Sequence, residues 1–288
     1  MKNRFRLART DYARETEEQK IEPQKIFYLS VEGNVTEQQY FAGISKYREE
    51  LGINGRIDVE ILSRSSRDTY SAPKYVLELL EEYLRLRELG QERMIEEIPV
   101  DIAKAYGEEF IRTYLENPQH LPKKERSRFV QDLRKAGYDI NYRKFLSTYK
   151  NKGDEFGILI DRDSQAHTEK EITECIEHCK KSGYHCYISN PCFEFWLLLH
   201  LSDVKEEYQS QMDKIQENKK VSHRHTFVSR EVTRRAHHGK GGLNFEKNYL
   251  PHVLEAAERA KAFEQDDSRL AGCVGCNLWK LIGILRDF

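Results

Sequence analysis

The chain has 288 residues, 39% of them hydrophobic and 33% charged, with a formal net charge of -1. That is enough apolar material for one large or two small domains, while no stretch approaches the roughly 20 apolar residues of a membrane span, so no membrane partner is expected. The first 20 residues lack the apolar core of a secretory signal, which makes the cytoplasm the expected location.

Residues 1–22 carry Arg4, Arg6, Arg9 and Arg14 followed by Glu15, Glu17 and Glu18, a polar composition that reads as a mobile arm. The β-branched and aromatic run KIFYLSV at 25–31 then reads as a first strand that ends at Glu32-Gly33. Asn34 and Thr36, with Gln39 three residues after Thr36, start a helix over 36–50. Glu32 is left in the strand-to-helix turn. Gly52 and Gly55 lead into a second strand at 57–62 and a polar loop at 63–68. Pro73 opens a helix in which Val76, Leu77, Leu80, Tyr83, Leu84 and Leu86 keep helical spacing. Residues 23–89 thus form the first part of an α/β domain.

Between 90 and 153 the strand signals disappear. Amphipathic segments at 102–115, 123–135 and 142–149, separated by Asn117-Pro118 and Gly137, read as a helical insertion. The α/β pattern resumes over 154–202. Phe156-Gly157-Ile158-Leu159-Ile160 is a short apolar run, as expected of a strand covered on both faces, and it ends abruptly in Asp161-Arg162-Asp163. If the strand stays extended through the pair, both carboxylates project to one side, at the carboxyl end of a strand, where open α/β sheets place their ligands. Their repulsion asks for a cation, and hard oxygen ligands suit Mg2+ or Mn2+ better than Zn2+. The plainer reading is a loop start before the next helix, since Thr168 and Glu171 make a capping box on their own.

A helix at 169–181 and a strand at 184–189 follow. Next comes Asn190-Pro191-Cys192-Phe193-Glu194-Phe195-Trp196-Leu197-Leu198-Leu199-His200, a helix apolar nearly all round and therefore buried, with Pro191 in its first turn and Asn190 or Ser189 as cap. Glu194 sits in that first turn, where attraction to the helix dipole is the simpler explanation of a carboxylate. Residues 203–288 hold a basic segment and closing helices at 245–262 and 278–285. In the basic segment Lys219, Lys220, Arg224, Arg230, Arg234, Arg235 and Lys240, with His223, His225, His237 and His238 among them, form a candidate nucleic-acid phosphate surface; a solvated loop and helix face is the alternative. Cys175, Cys179, Cys186, Cys192, Cys273 and Cys276 lack the spacing of a disulfide framework or of a four-ligand zinc site and read as reduced structural thiols.

The alternation of strands and helices argues a mostly parallel sheet with helices on both faces. Glu32, Asp161 and Asp163 then converge on one sheet edge. Such a cluster can hold one or two divalent ions and act on a phosphodiester, with Asp161 and Asp163 as metal ligands and Glu32 as a further ligand or as acid or base.

Three blocks carry a resemblance. Residues 30–41 (SVEGNVTEQQYF) look like the "EGxxTExxYF" signature of RloB/AbiLii-like proteins, Ile160-Asp161-Arg162-Asp163 is similar to that family's "DxD" strand, and residues 189–200 (SNPCFEFWLLLH) resemble its "SNPCFExWLLLHF" block. The blocks lie in family order within residues 25–202. The resemblance implies a Toprim-like catalytic domain that uses Mg2+, with Glu32 as acid or base, Asp161 and Asp163 as metal ligands, and Glu194 as a fourth acid. It also implies a nuclease of bacterial anti-phage defence, acting on RNA (tRNA among the candidates) or DNA and restrained or triggered by an ABC-type ATPase partner. The helical region 90–153 departs from the family pattern by its length. Two other functions compete: a phosphatase that forms an aspartyl-phosphate on the Asp161-x-Asp163 pair with Asp266 and Asp267 as late acids, and a non-catalytic module that binds nucleic acid or a partner.

Overall fold

A computed structural model describes residues 25–33, 35–64, 72–148, 150–163, 165–236 and 242–286, together with Leu7. Apart from Leu7 the expected arm at 1–22 lies outside the described residues, as do Asn34, residues 65–68 of the polar loop, His237, His238 and Lys240. The chain divides into two compact units, Gln19–Ile61 with Ser71–Leu77 and Gly153–Phe288, and Met1–Glu18 with Leu62–Tyr70 and Glu78–Lys152.

The first unit is built on a five-stranded sheet. Its strands are β1 (Lys25–Val31), β2 (Ile57–Ile61), β3 (Glu155–Asp161), β4 (His185–Asn190) and β5 (Gly275–Cys276), in the order β2-β1-β3-β4-β5. All neighbours are parallel except β4 and β5. The fold is thus α/β with a mostly parallel sheet, as the alternation of strand and helix signals implied. Every residue of β1 is buried, which is why its sequence is apolar along its whole length rather than alternating. The two-residue β5 is too short to leave a pattern. Gly275 is required there, because a Cβ would lie 2.6 Å from the Glu264 carbonyl oxygen.

Helix α1 (Thr36–Lys46) follows β1 and stops earlier than expected, its end passing into turns at 47–50. Its N-cap is Val35, with no side-chain cap bond. Helix α2 (Pro73–Leu89) begins in the sheet unit, and from Glu78 onward it belongs to the second unit.

The second unit is helical: α3 (Gln91–Glu97), α4 (Val100–Tyr106), α5 (Glu108–Glu116), α6 (Lys123–Lys135) and α7 (Ile140–Thr148). The segment expected as one helix at 102–115 is two, because Gly107 takes the left-handed region at φ 78° and breaks the ladder. Tyr106, Phe110 and Tyr114 pack around Phe129 with ring centroids 4.9 to 5.3 Å away. Leu7 is buried in this unit and bridges Arg64. Arg143 of α7 is fully buried, donates to Glu82 and, at 2.8 Å, to Glu97, and lies 4.7 Å from the Tyr138 ring centroid. Burial disfavours its charge, but Glu82, Tyr138 and Glu97 outweigh that and raise its pKa.

Back in the sheet unit, α8 (Glu169–Ser182) joins β3 to β4. It starts at the expected capping box, the Thr168 side chain accepting from the Glu171 N–H and Glu171 answering the Thr168 N–H, and it ends at Gly183 in the left-handed region. Helix α9 (Phe193–Leu201) is buried at every position of the run 193–200 except Glu194. Each of its large apolar side chains contributes about 1.5 to 3 kcal/mol by leaving water. Packed around it are α12 (Phe227–Ala236) and α14 (Val253–Ala260), after the short α10 (Val204–Glu207) and α11 (Met212–Glu217) and around α13 (Phe245–Asn248); α15 (Trp279–Arg286) closes the chain. The closing helix expected at 245–262 is interrupted by a 3-10 turn, Leu250–His252, around Pro251.

The start of α9 also differs from expectation. Asn190–Pro191 is a cis peptide and the N-cap is Cys192. Ser189 donates to the Cys192 carbonyl and Asn190 to the Leu270 carbonyl, and the helix start carries no side-chain cap bond. Deeper in the helix, the His200 Nδ1–H donates to the Trp196 carbonyl and Nε2 accepts from the Tyr40 hydroxyl at 3.1 Å. Burial pushes the His200 pKa down to about 3, so the ring is neutral. Among the described residues no helix is long and apolar enough to cross a membrane.

Candidate active site

From β1 the sheet grows in two directions, to β2 on one side and to β3 on the other. The carboxyl ends of β1 and β3 therefore flank a topological switch point, the place where parallel sheets open a crevice. A cleft of ≈370 Å³ lies there, and four of the side chains lining it are carboxylates: Glu32, Glu37, Asp161 and Glu194.

Glu32 directly follows β1, and its own N–H continues the ladder to the Leu159 carbonyl. Its Oε2 accepts from the backbone N–H of Asp161 at 3.1 Å, and its Oε1 lies 3.3 Å from His167 Nε2. Glu37, in the first turn of α1, is buried and accepts from the Gly33 N–H at 3.0 Å. A Cβ on Gly33 would stand 2.0 Å from Glu37 Oε2. Only glycine admits the carboxylate that close to the backbone. Burial, with the charges of Glu194 and Glu32 added to it, pushes the Glu37 carboxyl up to about 7.

Asp161 is the last residue of β3 and Glu194 lies in the first turn of α9. Burial and then the charges of Glu32, Glu37 and Glu194 hold the Asp161 carboxyl well above the usual range, against a lowering hydrogen bond from the Phe193 N–H. The Cys192 thiol is pushed up by burial and by Glu194 and Asp161. Each of these shifts has the same origin: carboxylates gathered where water is scarce, so that the charged form of each is disfavoured by the others.

The two aspartates do not project side by side. Strand β3 stops at Asp161, and Asp163 begins a turn in which its carbonyl accepts from the Ala166 and His167 N–H groups and its carboxylate from the Gln165 N–H at 3.1 Å. This is the local bond by which aspartate competes with extended structure. Asp163 is exposed and outside the cleft lining, though its charge helps raise the pKa of His167, after the Glu32 hydrogen bond and the Glu32 charge. Between the aspartates, Arg162 is buried, and its guanidinium donates to the carbonyls of Ala271 and His167.

His167 and Glu37 are the site residues that sequence reasoning missed. Glu37 stood inside the 30–41 block, one turn beyond Gly33. His167 carries no spacing signal at all.

The basic segment is largely matched by acids of its own unit. Arg230 and Arg234 both pair with the buried Glu231, at 3.2 and 2.8 Å, Arg235 pairs with Glu207, and Lys219 pairs with Glu217 at 2.9 Å. Lys220 and Arg224 are exposed. None of these residues lines the cleft. Asp266 accepts from Ser268 and Asp267 pairs with Lys280 at 2.7 Å, so the late acids invoked for a phosphatase are engaged elsewhere.

A family model described as RloB-like protein matches residues 27–285. No curated protein and no solved structure matches the chain.

Proposed function

The chain belongs to the RloB-like family, and from that premise we propose that it is a divalent-metal-dependent nuclease with a Toprim-like site, cleaving RNA or DNA phosphodiesters in anti-phage defence in the cytoplasm. The observation that carries the reading is the crowding of Glu32, Glu37, Asp161 and Glu194 in one cleft, with Asp161 and Glu37 both pushed toward their protonated forms. A cluster of that kind is stabilised by a cation.

The donor set is all oxygen, which fits Mg2+ or Mn2+. Among the described residues no three His, Cys, Asp or Glu side chains form a closed metal site. Mg2+ keeps several waters and is held by one or two carboxylates together with substrate phosphates. Glu32 and Asp161 would hold the ion, with Glu194 beside them in the cleft lining; Asp163, exposed and outside that lining, would contribute through its charge alone. When bound, it would supply charge stabilisation to a phosphoryl oxygen and lower the pKa of a water.

The chain's own side chains have separate tasks. His167 holds Glu32 Oε1, so the carboxylate keeps one orientation without a bound ligand. Glu37 binds the Gly33 N–H through Oε1, which leaves Oε2 to carry a proton near neutral pH, as general acid–base work requires. The buried α9 fixes Glu194 on a rigid element. By the same resemblance, an ABC-type ATPase restrains or triggers the activity.

The test is incubation of the purified chain with Mn2+ or Mg2+ and mixed tRNA, single-stranded RNA and plasmid. Cleavage is expected, stopped by chelator and slowed about a thousandfold in Glu32→Gln and in Asp161→Asn, the scale of losing a group that stabilises the transition state. Wild-type rates in both variants would sink the reading.

A further inference from the structure

We propose that one face of α6, in the helical unit, is a docking surface for the phosphate backbone of a nucleic acid. The proposal deepens the nuclease reading and rests on it for its purpose, but the binding it describes needs neither metal nor turnover.

A concavity of ≈490 Å³ opens along α6, lined by Lys123, Lys124, Ser127, Arg128 and Gln131. All five side chains are exposed. Their spacing places them on one side of the helix, opposite Phe129 and Leu133, which are fully buried. Arg134 and Lys135 continue that side toward the C-terminal end of the helix. The two acids of α6 flank the face rather than interrupt it. Asp132 is moreover engaged, by the Tyr106 hydroxyl at 2.9 Å and by Lys135 at 3.2 Å.

The chemistry of the lining selects the partner. Lysine, arginine, serine and glutamine are the side chains that donate to phosphate oxygens, and every residue of the lining is one of them. No apolar or aromatic residue lines it, so it offers neither the buried anchor that a protein interface depends on nor the apolar side chains that enter a lipid surface. The helix runs about 20 Å, roughly six base-pair steps of one strand. A surface of this composition grips backbone without reading bases. The contrast with residues 219–235 supports the choice, since Arg230, Arg234 and Arg235 there are held by Glu231 and Glu207, whereas Lys123 and Lys124 line the concavity with no salt bridge among the described residues and Arg128, 82% exposed, lies 3.9 Å from Asp132, at the edge of ion-pair range.

The experiment measures fluorescence anisotropy of fluorescein-labelled random-sequence RNA and DNA, single-stranded and duplex, with the full-length chain in EDTA between 50 and 200 mM salt, roughly the range over which counterion release is resolved. The wild type is expected to bind. Lys124→Gln with Arg128→Gln should weaken binding by about tenfold and reduce the log–log salt slope by about 1.4 to 1.8, the loss of two phosphate contacts. Charge reversal at the same positions should weaken it further, with an unchanged circular dichroism spectrum because both side chains are exposed. Lys220→Gln with Arg224→Gln is the comparison pair, expected to change binding by less. Wild-type affinity and slope in both α6 variants would overturn the proposal. So would failure of the wild type to bind any of the four probes, or tighter binding to phosphatidylserine vesicles than to nucleic acid. Metal-dependent cleavage is scored separately: binding that depends on α6 leaves this surface standing whether or not the isolated chain cleaves, and cleavage without such binding leaves the nuclease reading standing.

Discussion

The molecule contains two groups of crowded carboxylates and treats them in opposite ways. In the helical unit Glu82 and Glu97 close on Arg143, a fully buried guanidinium that satisfies both. In the sheet unit Glu32, Glu37, Asp161 and Glu194 share a cleft, and the charges that press hardest on Asp161 are those of its fellow acids. The first arrangement is finished by the sequence. The second, on the proposed function, is completed by a proton or by a cation from solution, which would be the physical difference between an ion pair that holds a fold together and a group of acids kept ready for a ligand.

Breaking the finished group should have the largest effect. Arg143→Ala takes from Glu82 its buried guanidinium and leaves Glu97 with Arg93 at 2.9 Å, and is expected to cost about 3 to 5 kcal/mol in urea unfolding; adding Glu82→Gln and Glu97→Gln should recover much of that loss. An unchanged midpoint in the single variant would show that Arg143 is not what balances the pair.

Next is the proton in the unfinished group. With its carboxyl at about 7 in the folded chain against 4.5 as the reference value, Glu37 binds more protons folded than unfolded between those values. Stability therefore falls as pH rises through that window and levels off above it. Glu37→Gln should be nearly neutral at pH 4.5 and stabilising by up to about 3 kcal/mol at pH 8 in EDTA, read from urea midpoints at the two pH values. A variant equally stable or less stable at pH 8 contradicts the assignment.

A divalent ion should act on the same group in the opposite sense. At roughly thirtyfold excess over its Kd, Mn2+ is expected to stabilise the wild type by about 2 kcal/mol, more at pH 8 than at pH 5.5 because it competes with protons, and to do nothing for Asp161→Asn. The smallest expected effect is at His167. His167→Ala should weaken Mn2+ binding about tenfold, the scale on which groups behind a ligand act, with little change in unfolding without metal.

Much of the sheet unit was legible because its signals are local. The runs at 25–31 and 155–161 announce buried strands, and helices between them force the strands parallel, which brings the ends carrying Glu32 and Asp161 together. What stayed hidden depends on contacts between distant residues or on a competing local bond. Asp163 leaves the strand because its carboxylate finds the Gln165 N–H. His167 reaches Glu32 from a loop whose Arg162 is anchored on Ala271, 109 residues away. Glu37 becomes a buried acid only because Gly33 lets it approach and α9 covers it. In the basic segment the Glu231 pairs with Arg230 and Arg234 are local, one between chain neighbours and one at helical i,i+3 spacing, whereas Arg235 reaches Glu207, 28 residues away, which no local pattern announces.

The hydrogen bond from the Asp161 N–H to Glu32 joins residues 129 positions apart, and this spacing has a consequence for synthesis. Glu32 and Glu37 leave the ribosome first, β2 and the helices α2 to α7 follow, and only then do β3 and α9 deliver Asp161 and Glu194. A half-made chain carries two of the four acids and lacks the β3 strand that faces them, so on the proposed function the full set of acids is withheld until about two thirds of the 288 residues have been translated.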